Sequence, residues 1–207
     1  MYMKKSMIIG FISIIFASVL LSSCDLLDLT PKAAVTVKTY FKNESELELY
    51  ANRFYSDILP GGSGIYKEIG DNMIWIPLAS EVSLTRTVPE KGGGWSFEAL
   101  RHINFLLENI GNCPDAAAVR KYTGVAKFFR AHYYFNMVKR FGDVPWLDHV
   151  PGTDDPALYK ARDSRDFVME KVIEDLDEAI RLFKKENSTK DLYHVTWWTA
   201  MALKSRI

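Results

Sequence analysis

The side chains in this 207-residue chain that could break or form bonds are few, and their spacing argues against catalysis. His102, His132, His149 and His194 stand alone. None has a second histidine one helical turn away, the arrangement that lets two imidazoles share a metal ion. The chain contains no H-E-x-x-H, no G-x-S-x-G and no G-x(4)-G-K-[ST]. Gly62-Ser63-Gly64 lacks the third glycine of a dinucleotide loop. Carboxylates gather at Glu174, Asp175, Asp177 and Glu178. Glu174 and Glu178 fall on one helix face, whereas a glycosidase needs two carboxyl groups facing each other across a cleft. The cluster therefore reads as a solvated ridge. Asp154-Asp155 supplies two adjacent acids, too few for a calcium cage. These residues predict no catalytic group, no metal site and no cofactor, so the chain is not expected to be an enzyme.

Aromatic side chains offer a different chemistry. There are five Trp, ten Tyr and twelve Phe. The C–H faces of sugar rings stack on flat aromatic surfaces, and a few polar groups take the hydroxyls. Trp75 and Trp95 lie near glycine-rich turns, Gly61-Gly62-Ser63-Gly64 and Gly92-Gly93-Gly94, and are the candidate ligand-binding residues. The competing reading puts both in the core beneath a long loop. Trp197 and Trp198 cannot share one helix face.

The N-terminus carries chemistry of its own. Lys4 and Lys5 precede an apolar run from Met7 to Leu21, and Leu21-Ser22-Ser23-Cys24 resembles a lipobox. Fifteen apolar residues fall short of the ~20 that span a bilayer as a helix. Residues 1–23 are thus expected to be a lipoprotein signal peptide, with Cys24 the lipid attachment site. Removing them takes away two lysines and no acids, which leaves 24 basic and 26 acidic side chains, a formal charge of −2. Cys113 is then alone and reads as a small apolar filler before Pro114, not a nucleophile. The full chain balances 26 basic against 26 acidic residues, so no positive field favours nucleic acid.

These side chains must be positioned by helices. Residues 125–141 are apolar or aromatic on nearly every face and contain no Pro. A helix apolar all round has to be wrapped by others. Gly142 and Pro145 close it, and Lys139 and Arg140 complement the negative end of its dipole. Asn43 and Glu46 stand at capping-box spacing before a stripe of Leu47, Tyr50, Ala51, Phe54 and Ile58. Ser96 is expected to cap a helix with Phe97, Leu100, Ile103, Leu107 and Ile110 on its apolar face, ended by Gly111. Asn104 on that helix needs a backbone or cross-helix partner. A further helix follows residues 161–166, with Phe167, Val172, Leu176, Ala179, Ile180 and Phe183 on one side. Residues 60–94 show little periodicity, and any binding surface is expected there. The fold class is all-α: a helical scaffold with tetratricopeptide-like helix pairs and one long irregular loop. The tether spans residues 24–38 and the domain 39–207. The last helix is expected to run into Ile207 unclosed, so the chain reads as the N-terminal part of a longer domain, truncated at the C-terminus.

Several stretches together resemble the SusD/RagB family of nutrient-binding outer-membrane lipoproteins from Bacteroidetes. They are Arg130-Ala131-His132-Tyr133-Tyr134-Phe135, Arg140-Phe141-Gly142-Asp143-Val144-Pro145, Trp95…Leu100-Arg101-His102-Ile103-Asn104 and Ile173-Glu174-Asp175-Leu176. Residues 200–207 and the Leu27-Asp28-Leu29-Thr30-Pro31 leader are similar to further family blocks. The resemblance implies a surface-exposed lipoprotein of the cell outer membrane. Such a protein captures oligosaccharides or glycopeptides and passes them to a SusC/RagA-like TonB-dependent barrel. The alternative from another class is a lipid-anchored helical-repeat scaffold for protein partners. Whether Trp75 or Trp95 opens into a concavity separates the two.

Overall fold

Five α-helices and two short 3-10 turns, joined by loops, are found among the described residues of a computed structural model: 40–61, 76–78, 80, 82–87, 90, 92–186 and 193–207, the side chains of 184–186 excepted. The signal peptide, Cys24, the tether, most of the irregular loop and Trp75 lie outside them. The helices are α1 (Glu44–Ile58), α2 (Glu98–Asn109), α3 (Ala116–Phe141), α4 (Arg165–Glu186) and α5 (Trp197–Lys204). Among the described residues there is no strand, only one isolated antiparallel bridge between Val144 and Asp163. The all-α expectation holds.

Local sequence sets each boundary. Asn43 caps α1, its Oδ1 accepting from Glu46 N–H at 3.0 Å. The return half of the box is shifted by one residue, since Glu46 Oε2 accepts from Lys42 N–H at 2.8 Å. Asp115 caps α3 through the N–H groups of Ala117 and Ala118. At the other end Gly142 takes φ +71, a conformation in which a side chain is strained, and its N–H reaches the Val138 carbonyl at 2.9 Å. One start and two stops differ from expectation. Phe97, not Ser96, occupies the α2 cap position, and Ser96 Oγ only reaches Glu98 N–H at 3.5 Å. The α2 helix ends at Asn109, where a 3-10 turn from Ile110 to Asn112 takes over before Gly111 can act. Likewise α5 closes at Lys204, with Ser205 N–H on the Met201 carbonyl at 2.9 Å, ahead of Ile207.

Helix directions follow from the contacts. Phe41 and Tyr50 meet Phe105 while Arg53 approaches Glu98, so α1 and α2 run antiparallel. Gly124 faces Phe183 while Arg130 faces Asp175, so α3 and α4 do the same. The central helix α3 is wrapped as its composition requires: Val125, Ala126, Phe128, Phe129, Ala131, Tyr134 and Met137 are all buried. Gly124 permits the closest approach. A Cβ there would stand 2.9 Å from Phe183 Cε1, inside van der Waals contact.

On α4 the apolar stripe is rotated slightly from expectation. Val168 is fully buried and Phe167 remains 38% exposed. Val168, Val172, Leu176, Ala179 and Phe183 then form the seam against α3. Cys113 is buried, as a filler should be. Trp197 packs against the core while Trp198 stays 61% exposed.

Candidate functional site

A buried charge cluster fixes the geometry from which the candidate site is built. Arg130 of α3 is 5% exposed and Asp175 of α4 only 2%. The Arg130 guanidinium grips Asp175 with two parallel bonds, Nε to Oδ2 at 2.6 Å and Nη2 to Oδ1 at 2.8 Å. Lys127 Nζ adds a third donor to Oδ1 at 2.7 Å. Arg130 Nη1 also donates to Asn104 Oδ1 on α2 at 3.3 Å. One guanidinium thus ties three helices together. Paired fork geometry of this kind is what makes a buried charge tolerable. The reading of the 174–178 cluster as a solvated ridge is therefore corrected at Asp175. Glu174 and Glu178 do face solvent, where they pair with Lys171 and Arg181.

The tie extends to the loop between α3 and α4. Asn104 Nδ2 donates to the carbonyls of Leu147, at 2.9 Å, and His149, at 3.1 Å. Its amide is thereby satisfied from both sides, by backbone and by a neighbouring helix. Trp146 lies under the Arg130 guanidinium, 5.1 Å from its ring centre. The Tyr134 hydroxyl accepts from Leu147 N–H at 2.6 Å and donates to the Pro145 carbonyl at 3.1 Å. Burial pushes its pKa well above the ordinary value, so it stays protonated. Asp143 Oδ1 accepts from Arg165 N–H at the start of α4, at 2.9 Å. Asp163 Oδ2 accepts from Trp146 N–H at 2.8 Å and from Lys160 Nζ at 2.7 Å. The stretch from Phe141 to Trp146 is thus a set of structural fittings, each residue closing one joint.

So held, the loop forms one wall of an open groove of about 580 Å³, with α2 as the other wall. Trp95, Leu100 and Arg101 line it from the α2 side, and Leu147, Pro151 and Leu158 from the loop. That volume lies in the range of small-ligand sites, and so does its largely apolar lining with a few polar groups. Trp95 is half-buried. Phe97 and Phe141 meet its ring nearly at right angles, at 5.4 and 4.9 Å between centroids, and the Arg162 guanidinium lies over it at 4.8 Å. It therefore contributes to packing and to the groove at once. A smaller cleft of about 290 Å³ lies nearby, lined by Gly94, Ser96, Tyr133, Asn136 and Arg140 among others.

The outer part of the loop is held by His149. Its Nδ1 is 3.0 Å from Asp148 Oδ1 and its Nε2 2.9 Å from Asp155 Oδ2. A neutral imidazole has one N–H, so only the cation satisfies both acceptors. The hydrogen bond to Asp148, and then that to Asp155, raises the His149 pKa above its ordinary value. In return the His149 bond holds Asp148 below the usual carboxylate range. Among the described residues no group of three His, Cys, Asp or Glu side chains is placed to hold a metal ion.

Of the residues singled out in the sequence, Trp95 is thus found on a groove wall, while Trp75 and Cys24 lie outside the described residues. The loop from residue 145 to 160 was not foreseen as the opposite wall. Its signal was the row Pro145, Pro151, Gly152, Pro156, which marks extended chain without saying what it lies against.

Residues 95–207 match the model of a SusD-like family described as starch-binding and associating with the outer membrane. In structure the chain is similar to a SusD-like protein of Bacteroides fragilis, with a TM-score of 0.61 and 24% identity. That match covers 81% of this chain and 35% of the other, so the chain spans about a third of its neighbour's length. No curated protein matches the sequence. The family model takes in α2, the groove loop and the whole Arg130–Asp175 tie, and with more than half of its residues matched the chain belongs to the SusD-like family.

Proposed function

We propose that this chain is part of a non-catalytic, lipid-anchored protein of the outer membrane that captures oligosaccharides and hands them to a TonB-dependent barrel. The observation that carries the reading is the groove beside Trp95, in a chain whose family is described as starch-binding and associating with the outer membrane. Binding there draws on apolar burial and on an indole edge or face presented at a rigid wall. No bond is broken. Anchoring would rest on acylation of Cys24 after removal of residues 1–23, since one thiol carrying two acyl chains holds a protein firmly on a membrane.

Affinity electrophoresis of the full chain through gels containing amylopectin, inulin or xylan tests the capture role. Retardation in at least one gel, reduced about tenfold in apparent affinity by Trp95→Ala, supports it. Normal migration in all of them favours the helical-repeat scaffold. Intact mass of the membrane-extracted protein reads the anchor: an unmodified Cys24 removes it.

A further inference from the structure

The surroundings of Trp95, which include the groove and the adjacent cleft, have a charge character that neutral stacking leaves unused. Three arginines stand around Trp95. Arg101 lines the groove, Arg162 lies over the indole at 4.8 Å, and Arg140 packs against Gly94, the residue before Trp95. All three are exposed, and none has a carboxylate partner among the described residues. Nearby, Arg53 is matched by Asp57 and Lys160 by Asp163.

Two of the three lie beside rings. Arg162 rests on Trp95, Arg140 lies 5.6 Å from the Phe141 ring centre, and Trp95 and Phe141 pack edge to face at 4.9 Å. One aromatic pair thus carries a guanidinium on each member. A guanidinium drawn to a ring by its charge still has N–H groups to offer, the fork that recognises carboxylate and sulfate. The nearby acids do not cancel this. Glu98 on the groove wall lies beside Arg53 and His102, and Asp57 in the adjacent cleft is bonded to Arg53.

We propose that the groove takes sugar chains bearing carboxylate or sulfate groups, with the pyranose rings against its apolar lining and the anions on Arg101 in the groove, on Arg162 over the Trp95 indole, and on Arg140 in the adjacent cleft. This rests on the reading of the groove as a glycan site and narrows it to acidic glycans. Charge-assisted bonds to a guanidinium are about twice as strong as neutral ones, which is enough to separate an acidic from a neutral ligand.

The test is calorimetry with the full chain on two matched pairs: polygalacturonate against its methyl ester, and dextran sulfate against dextran. The expected result is at least a tenfold preference for one acidic member at 50 mM NaCl, shrinking several-fold at 500 mM as screening sets in. The double variant R140Q/R162Q should lower that acidic-to-neutral ratio about tenfold, and R162K should fall between, because it keeps the charge and loses the fork. Lys204→Gln, a charge removed from α5, should leave the ratio within twofold. Equal binding within both pairs, or a ratio that the double variant does not change, overturns the acidic preference and leaves the glycan groove standing. Binding to none of the four, together with none to the neutral gels above, overturns both.

Discussion

The α3–α4 seam and the groove beside Trp95 use the same side-chain types to opposite ends. In the seam Arg130 and Lys127 converge on Asp175, and the charges are buried only because their donors and acceptors meet. Around Trp95 the Arg140 and Arg162 guanidiniums lie over rings, and among the described residues no acid pairs with them. An arginine whose bonds are spent inside the fold is structural, and one whose bonds are open at a wall is available to a ligand. Burial and pairing, more than residue type, divide the two.

The sharpest way to break this contrast is at Asp175. Asp175→Ala strands the buried Arg130 charge and should lower unfolding free energy by about 3–5 kcal/mol in urea titration. Replacing Arg130 and Asp175 together by Met and Leu should cost clearly less than that single change. A double that costs the sum of the two singles would mean the pair is not coupled. Packing in the same seam gives a smaller effect. Gly124→Ala pushes a methyl group onto Phe183 and should cost about 1–2 kcal/mol, the clash outweighing the gain in helix propensity. A stabilised variant would show that the two helices can part freely.

At the C-cap of α3, Gly142→Ala forces a side chain to φ +71 and should cost about 1 kcal/mol, again read by urea titration. On the groove side the expected effects are local. The folded pKa of His149 is raised, so the stability it lends is complete below its unfolded pKa near 6.5 and is lost as pH rises through the higher folded value. Hydrogen exchange at the amide of Ala157, which Asp155 Oδ1 accepts at 2.8 Å, should therefore quicken in His149→Asn at pH 6. At pH 9 wild type and variant should match. Equal protection at pH 6 would remove the imidazolium from the loop.

Much of the seam was legible in the sequence, including part that was misread. The aromatic run of α3 demanded wrapping, and Asn104 demanded a partner. Asp175 also carried its signal, since it lies three residues after Val172 and four before Ala179, on the stripe that faces α3. Counting it with its acidic neighbours hid that spacing. Phe167, expected on the buried face, and Val168, which occupies it, are one residue of rotation apart, within the width of an apolar stripe. The groove was legible only on one wall. Trp95 announced itself beside a glycine turn, whereas the loop from 145 to 160 has no period, and its place is set by tertiary bonds from Asn104 and Tyr134. Pairing across 43 and 45 positions leaves no local trace.

Asn104 grips that loop by the carbonyl oxygens of Leu147 and His149, atoms that every amino acid supplies. At Leu147 the side chain facing the groove is therefore independent of what anchors its backbone. That position can change with the ligand while its backbone stays pinned to the same helix.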